Sequence, residues 1–180
     1  MAQYLALELN ASLDIILARK IGAPGNPEFA VGAISEDGHV YLNQEYARRA
    51  GADEAYIEEE KKRQMAGIKR RAAIFRKVHP KISLKDHTVI VTDDGVATGA
   101  TFEAALWSAR SEKPRKLIAA IPIGSEDTLR RLAQRSDKLV CLRVPEDFYA
   151  LSKFYLHFEQ VDDAQVLEIL RSHNPAPRKQ

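Results

Sequence analysis

Thr88-Val89-Ile90-Val91-Thr92-Asp93-Asp94-Gly95-Val96-Ala97-Thr98-Gly99-Ala100-Thr101 decides the reading of this chain. TVIVT is a run of β-branched residues, the pattern of a strand buried in a parallel sheet. It delivers two adjacent carboxylates at its carboxyl end. A loop of small residues follows, and then a helix from about Thr101 to Glu112, with Phe102, Ala105, Leu106 and Ala109 on one side. In open α/β sheets, ligands sit outside the carboxyl ends of strands. Small side chains at a helix N-terminus leave backbone N–H groups open to a phosphate, and the helix dipole favours the anion. Thr98 and Thr101 add hydroxyl donors, and the Asp pair can accept hydrogen bonds from a vicinal diol. This chemistry asks for one molecule with a phosphate at one end and a ribose-like diol at the other. Asp-Asp-Gly in isolation would be an ordinary turn. Strand, acid pair, Thr-Gly-Ala-Thr and helix in that order make a site. No Lys follows the glycine, so the loop is not a Walker A sequence.

Outward from this passage, apolar runs alternate with helical patterns. Leu13 to Ala18 reads as a strand buried on both faces, followed by a loop, Arg19 to Pro27. Phe29 to Ile34 and His39 to Leu42 are short strands around an Asp37-Gly38 hairpin signal. A helical pattern runs from about Asn43 to Val78, with three Glu against eight Lys or Arg in residues 58–77. Met65, Ile68, Ala72 and Phe75 give it one apolar face, and His79-Pro80 ends it. Leu117 to Ile123 and Lys138 to Val144 are further strands, with a helix over Glu126 to Arg135 between them. Helices are also read at Met1 to Asn10 and Asp162 to Ser172. The pattern predicts an α/β fold, an open, mostly parallel sheet flanked by helices. It predicts one domain over 1–173, in which 35–80 is a flexible hairpin and basic-helix insertion and 174–180 is a disordered tail.

The passage VIVTDDGVATGAT resembles the signature of the type I phosphoribosyltransferases for phosphoribosyl pyrophosphate (PRPP): an apolar strand, two acids and an Ala-Thr-Gly-x-Thr-like loop. The flanks resemble a bacterial group within that family, from about Met1 to Ser172. The resemblance implies that Val96, Ala97, Thr98, Gly99, Ala100 and Thr101 hold the 5′-phosphate, beyond the turn at Gly95. Asp93 and Asp94 would take the ribose hydroxyls. Arg19-Lys20 matches a basic pair that reaches the pyrophosphate in adenine and orotate members, where charge builds as the C1′–O bond breaks. Mg²⁺ would be bound mainly through the substrate, and the partners would be PRPP and a nucleobase. Ala97 replaces the Asp that handles a purine proton in hypoxanthine-guanine members, so no general base is carried over and that assignment is opposed. No residue is assigned as catalytic.

The family normally opens with another strand and a tight pyrophosphate loop, resembling Pro-Arg-Gly-Gly in the bacterial group. This sequence opens on the helix. Weak or no turnover is therefore expected of the chain alone, with a gain on restoring upstream in-frame residues. A catalytically weak PRPP- or nucleotide-sensing module is the alternative. The basic stretch at 61–77 falls where the family carries its mobile catalytic loop, but a solvated amphipathic helix explains its charges equally well. Phe148 or Tyr149, with Phe154-Tyr155 nearby, could stack on an acceptor ring or simply close the core. Trp107 is expected on a polar-leaning helix side, marking an interface.

The 180 residues suffice for one core, at roughly 70% of unfolded surface buried for this size. A net charge of +2 argues against a whole-protein nucleic-acid footprint. Cys141 is the single cysteine, which excludes an internal disulfide and fits core packing. The five histidines lack metal-ligand spacing, so no protein-built metal site is indicated. No run approaches a membrane span. A cytoplasmic protein is expected, with a homodimer as its oligomeric option.

Overall fold

A computed structural model describes residues 1–148, 150–159 and 161–173. The expected tail at 174–180 and Tyr149 lie outside the described residues. The chain runs α1 (Ala2–Glu8), β1 (Ala18–Ala23), β2 (Asn26–Ser35), β3 (Val40–Leu42), α2 (Gln44–Arg49), α3 (Glu54–Val78), β4 (Thr88–Thr92) and α4 (Ala100–Ser111). It continues through β5 (Lys116–Ile123), α5 (Glu126–Ala133), β6 (Lys138–Arg143), a 3-10 turn at Leu151–Phe154 and α6 (Asp163–Ser172).

Two three-stranded sheets result. The parallel one has the order β4-β5-β6, with Val91 opposite Ala119 and Ile121 opposite Cys141. β5 is its central strand, and Leu117, Ala119, Ile121 and Ile123 alternate into the core. Around them pack Val91, Phe102, Leu106 and Leu132. The α/β architecture with a parallel sheet flanked by helices is as expected from sequence. The other sheet is an antiparallel meander, β1-β2-β3. It packs with Ile57, Ile68 and Phe75 of α3 and Leu170 of α6. Met65 and Ala72 join that core at its margin, so the apolar face read for this helix is the buried one.

Three expectations need correction. Leu13 to Leu17 forms no ladder; the strand begins at Ala18 and pairs with β2, so Arg19 and Lys20 sit inside a hairpin rather than in a loop. Asp14 accounts for this. Its carboxylate takes the Ile82 N–H at 2.9 Å and the Arg76 guanidinium at 2.6 Å, pinning the segment to side chains instead of a sheet. The helical stretch after Asn43 is two helices. α2 stops at Ala50, Gly51 follows at φ +68, and Asp53 caps α3 by accepting the Tyr56 N–H at 2.8 Å. Trp107 is buried, not exposed. It stacks on Tyr41 with ring centroids 4.3 Å apart, because the meander covers that side of α4. Ala33, Ala104 and Trp107 join the two halves there.

Among the described residues nothing pairs with the outer side of β4, so it is an edge strand, and Ile90 is 38% exposed rather than buried. A groove of about 640 Å³ separates that edge from the extended segment 12–17. Leu5, Leu13, Ile16, Val89 and Phe102 line it, and it reaches Asp93 and Thr101 at the carboxyl end of β4.

Candidate functional site

The carboxyl end of β4 passes directly into the acid pair. Asp93 keeps an exposed face, and its Oδ1 accepts the Asp94 N–H at 3.0 Å. Burial among surrounding protein, together with the neighbouring Asp94 carboxylate, raises Asp93 above the ordinary carboxylate value, although the Asp94 N–H opposes this. Among the described residues no Lys, Arg or His pairs with Asp93 or Asp94.

Beyond the pair the chain is held down. The Val96 N–H donates to the Ile123 carbonyl at 3.0 Å, and Val96 bridges Gly124 in parallel. Gly95 sits where the loop runs tightest, since a Cβ there would lie 2.9 Å from Ile123 Cγ2 and closer still to Leu151. Ala97 and Thr98 are exposed. Gly99 is the N-cap of α4 at φ +71, a left-handed conformation that glycine adopts without strain. A Cβ at Gly99 would also lie 2.5 Å from Thr128 Cγ2. The 12 residues of α4 point the positive end of their dipole at this loop. The structure thus brings Asp93, Asp94 and the 95–101 loop together at one sheet end.

Arg19 and Lys20 lie on β1, opposite Ile34 and Ala33. Lys20 pairs with Glu28 at 2.8 Å and Arg19 is exposed; no described contact joins either to the loop.

The segment after β6 folds back over the site. The Tyr155 hydroxyl donates to the Asp94 carbonyl oxygen. Burial, then the two Asp carboxylates, raise the Tyr155 phenol, so it stays a donor. Phe148 stacks on Phe154 at 5.8 Å, and Arg143 lies over the Phe154 ring at 5.3 Å. The aromatic residues therefore pack on one another beside the acid pair.

Part of the charge on α3 is matched, within the helix and against α6. Arg63 pairs with Glu60 and Arg71 with Asp163, as Lys61 does with Glu58. Among the described residues, no group of three or more His, Cys, Asp or Glu is placed to hold a metal. Nor is any helix long and apolar enough to cross a membrane.

Residues missed in the sequence sit behind the loop on α5. Thr128 Oγ1 donates to the Ala97 carbonyl at 2.7 Å, and Arg131 donates to the Thr98 carbonyl. Glu103, 3% exposed, holds Arg131 at 3.2 Å and Arg135 at 3.0 Å. The one available sequence signal was Glu103, a carboxylate set between Phe102 and Ala104 on the apolar-rich first half of α4.

Residues 1–159 match the family described as the phosphoribosyl transferase domain. Two Mycobacterium tuberculosis proteins, from strains CDC 1551 and H37Rv, are provisionally named phosphoribosyl transferases. Each is 39% identical over 169 residues, covering 93% of this chain. The chain spans 38% of the length of these curated relatives. The crystal structure of TT1426 from Thermus thermophilus superposes with a TM-score of 0.86 at 42% identity, over 95% of this chain and 81% of that one. The chain belongs to the type I phosphoribosyltransferase family.

Proposed function

We propose that this chain binds PRPP with Mg²⁺ and transfers the phosphoribosyl group to a nitrogenous base, releasing pyrophosphate. The observation that carries this reading is the Asp93–Asp94 pair. Two carboxylates without a cation partner among the described residues, one of them raised by burial, stand beside a loop whose Thr98 and Gly99 N–H groups have no partner among the described residues. A vicinal diol offers that pair two O–H donors, and a 5′-phosphate fits the loop and helix end. Mg²⁺ would ride mainly on the pyrophosphate and hydroxyl oxygens of the substrate, as expected for a hard cation that keeps few protein ligands. In the reaction, the acceptor nitrogen's electron pair forms the bond to C1′. The C1′–O bond breaks with its pair going to pyrophosphate, and the acceptor's displaced proton goes to solvent or to pyrophosphate. The protein contributes position and charge. Arg19, exposed on β1, is the cation assigned to the leaving pyrophosphate; Lys20 would first exchange its bond to Glu28. The reading keeps the protein in the cytoplasm with small-molecule partners, with a homodimer as the assembly.

Isothermal titration of Mg²⁺–PRPP tests this against Asp93→Asn/Asp94→Asn. Wild type should bind, and the double variant should lose at least about 100-fold in affinity, from two hydrogen bonds to charged groups worth about 1.5–3 kcal/mol each. No binding by wild type, or equal binding by the variant, would remove the proposal. Pyrophosphate release across a panel of nucleobases then separates the two forms of the reading. Release supports the transferase, and tight binding without release supports a sensing module.

A further inference from the structure

The cradle proposed for the 5′-phosphate is itself held from behind, and that hold has a direction. A trans peptide unit is planar, with its C=O and N–H pointing to opposite sides, and no cis peptide occurs among the described residues. The carbonyl of Ala97 shares its plane with the N–H of Thr98, and the carbonyl of Thr98 shares its plane with the N–H of Gly99. Both carbonyls turn toward α5. Ala97 O accepts Thr128 Oγ1 at 2.7 Å and Ser125 Oγ at 3.4 Å, and Thr98 O accepts the Arg131 guanidinium. The N–H groups of Thr98 and Gly99 must therefore face away from α5, and among the described residues neither has a hydrogen-bond partner.

We propose that Thr128 and Arg131 are positioning residues that set this loop for phosphate. They draw its carbonyls back so that two consecutive N–H groups point to the ligand side. The assignment rests on the reading of 96–101 as the phosphate loop.

The anchor is built to hold. Thr128 is 5% exposed, so its hydroxyl has little competing water. Arg131 cannot swing freely, because its Nε binds Glu103 while its Nη2 reaches Thr98. Glu103 is fixed in turn by Arg135 and by its own N–H, which donates to the Gly99 carbonyl at 2.8 Å. The two guanidiniums more than neutralise the buried Glu103 carboxylate, so it presents no unmatched negative charge to the loop. An untethered loop of small residues would sample peptide orientations that offer carbonyl oxygens to the anion. The tether removes that cost before the ligand arrives.

Ribose 5-phosphate is the probe, since it carries the phosphate and the diol without the pyrophosphate. Wild type should bind it, with the Thr98 and Gly99 amide proton resonances moving on titration. Thr128→Val, close in shape but without a donor, should weaken binding about five- to tenfold, the worth of one backbone-orienting hydrogen bond. It should also quench the two amide shifts. Thr128→Ser keeps the hydroxyl and should restore both affinity and shifts. Should Thr128→Val fail to fold, Arg131→Gln at the half-exposed guanidinium carries the same expectation. Wild-type binding with unchanged affinity and amide shifts in these variants would overturn the assignment alone. So would a loss as large in Thr128→Ser as in Thr128→Val. A wild type that does not bind ribose 5-phosphate overturns the functional reading and this assignment with it.

Discussion

Asp14 and Glu36 gather around Arg76, Asp93 and Asp94 stand at the end of β4, and the two pairs of carboxylates live in opposite conditions. Arg76 donates to Glu36 through Nε at 2.8 Å and Nη2 at 2.7 Å, and to Asp14 through Nη1 at 2.6 Å. The same guanidinium reaches the Ile15 carbonyl at 3.0 Å, and Asp14 also accepts the Ile82 N–H. Both carboxylates there are bonded to the same guanidinium, and the cluster joins the β2–β3 turn, α3 and the extended segment before β1. Among the described residues the pair at the end of β4 has no cation at all, only one N–H from its own backbone and a Tyr155 hydroxyl on the carbonyl behind it. A matched carboxylate cluster holds a fold together. An unmatched one keeps its acceptor capacity for something that comes from solution.

The contrast is broken most directly at Arg76, which is 16% exposed. Arg76→Met removes one cation from two carboxylates that are 14% and 11% exposed. Unfolding free energy should fall by about 3 kcal/mol, the range for stripping one partner from a buried ion pair. Urea unfolding at neutral pH measures it. A loss near zero would mean that charge matching does not separate the two clusters. Removing charge at the other pair should act with the opposite sign and a smaller size. Asp93 is raised in the fold by burial first and by Asp94 second. Between the unfolded carboxylate value and that raised value, the folded state binds more protons than the unfolded state. Stability therefore declines as pH rises through that window. Asp93→Asn should remove this decline and leave the ligand-free protein more stable than wild type above it, while lowering PRPP affinity. A ligand-free variant less stable than wild type at neutral pH would show that the acid pair is compensated after all.

The parallel half of the molecule was legible because its signals are local. The run Thr88 to Thr92, the acid pair and the small-residue loop lie within fourteen consecutive positions, and β5 alternates cleanly through Leu117, Ala119, Ile121 and Ile123. In the antiparallel half the hairpin around Asp37-Gly38 was legible too, but the strand that pairs with its other side was not. Leu13 to Ala18 has the composition of a buried strand, and an apolar run alone cannot say whether another strand will pair with it. The deciding contact is between Asp14 and Arg76, separated by 62 positions. Trp107 was misplaced for the same reason, since the meander that covers it comes from β1 to β3. Thr128 and Arg131 look like ordinary polar residues of an amphipathic helix. Their meaning comes only from a carbonyl each meets about thirty positions earlier.

Asp137 gives the comparison its finest test, because it is a matched carboxylate that is nonetheless exposed. Arg110 donates to it through both terminal nitrogens, at 2.9 and 3.2 Å, and the Leu117 N–H donates at 2.6 Å at the start of β5. The Arg110 bonds first and the Leu117 N–H second hold Asp137 below the ordinary carboxylate value. Its contribution is therefore fully present above the unfolded value and is lost as pH falls through the lowered folded one, the reverse of the slope at Asp93. Solvent screens a pair whose side chains are 42% and 40% exposed, so Asp137→Asn should lower neutral-pH stability by no more than about 1 kcal/mol. The difference from wild type should close under strong acid, where Asp137 is protonated in both states. If Asp93 and Asp137 variants changed the pH dependence with the same sign, the division into matched and unmatched carboxylates would fail at its root. Opposite signs in one protein would show that neighbours, rather than residue type, decide which aspartates build the fold and which are left open for substrate.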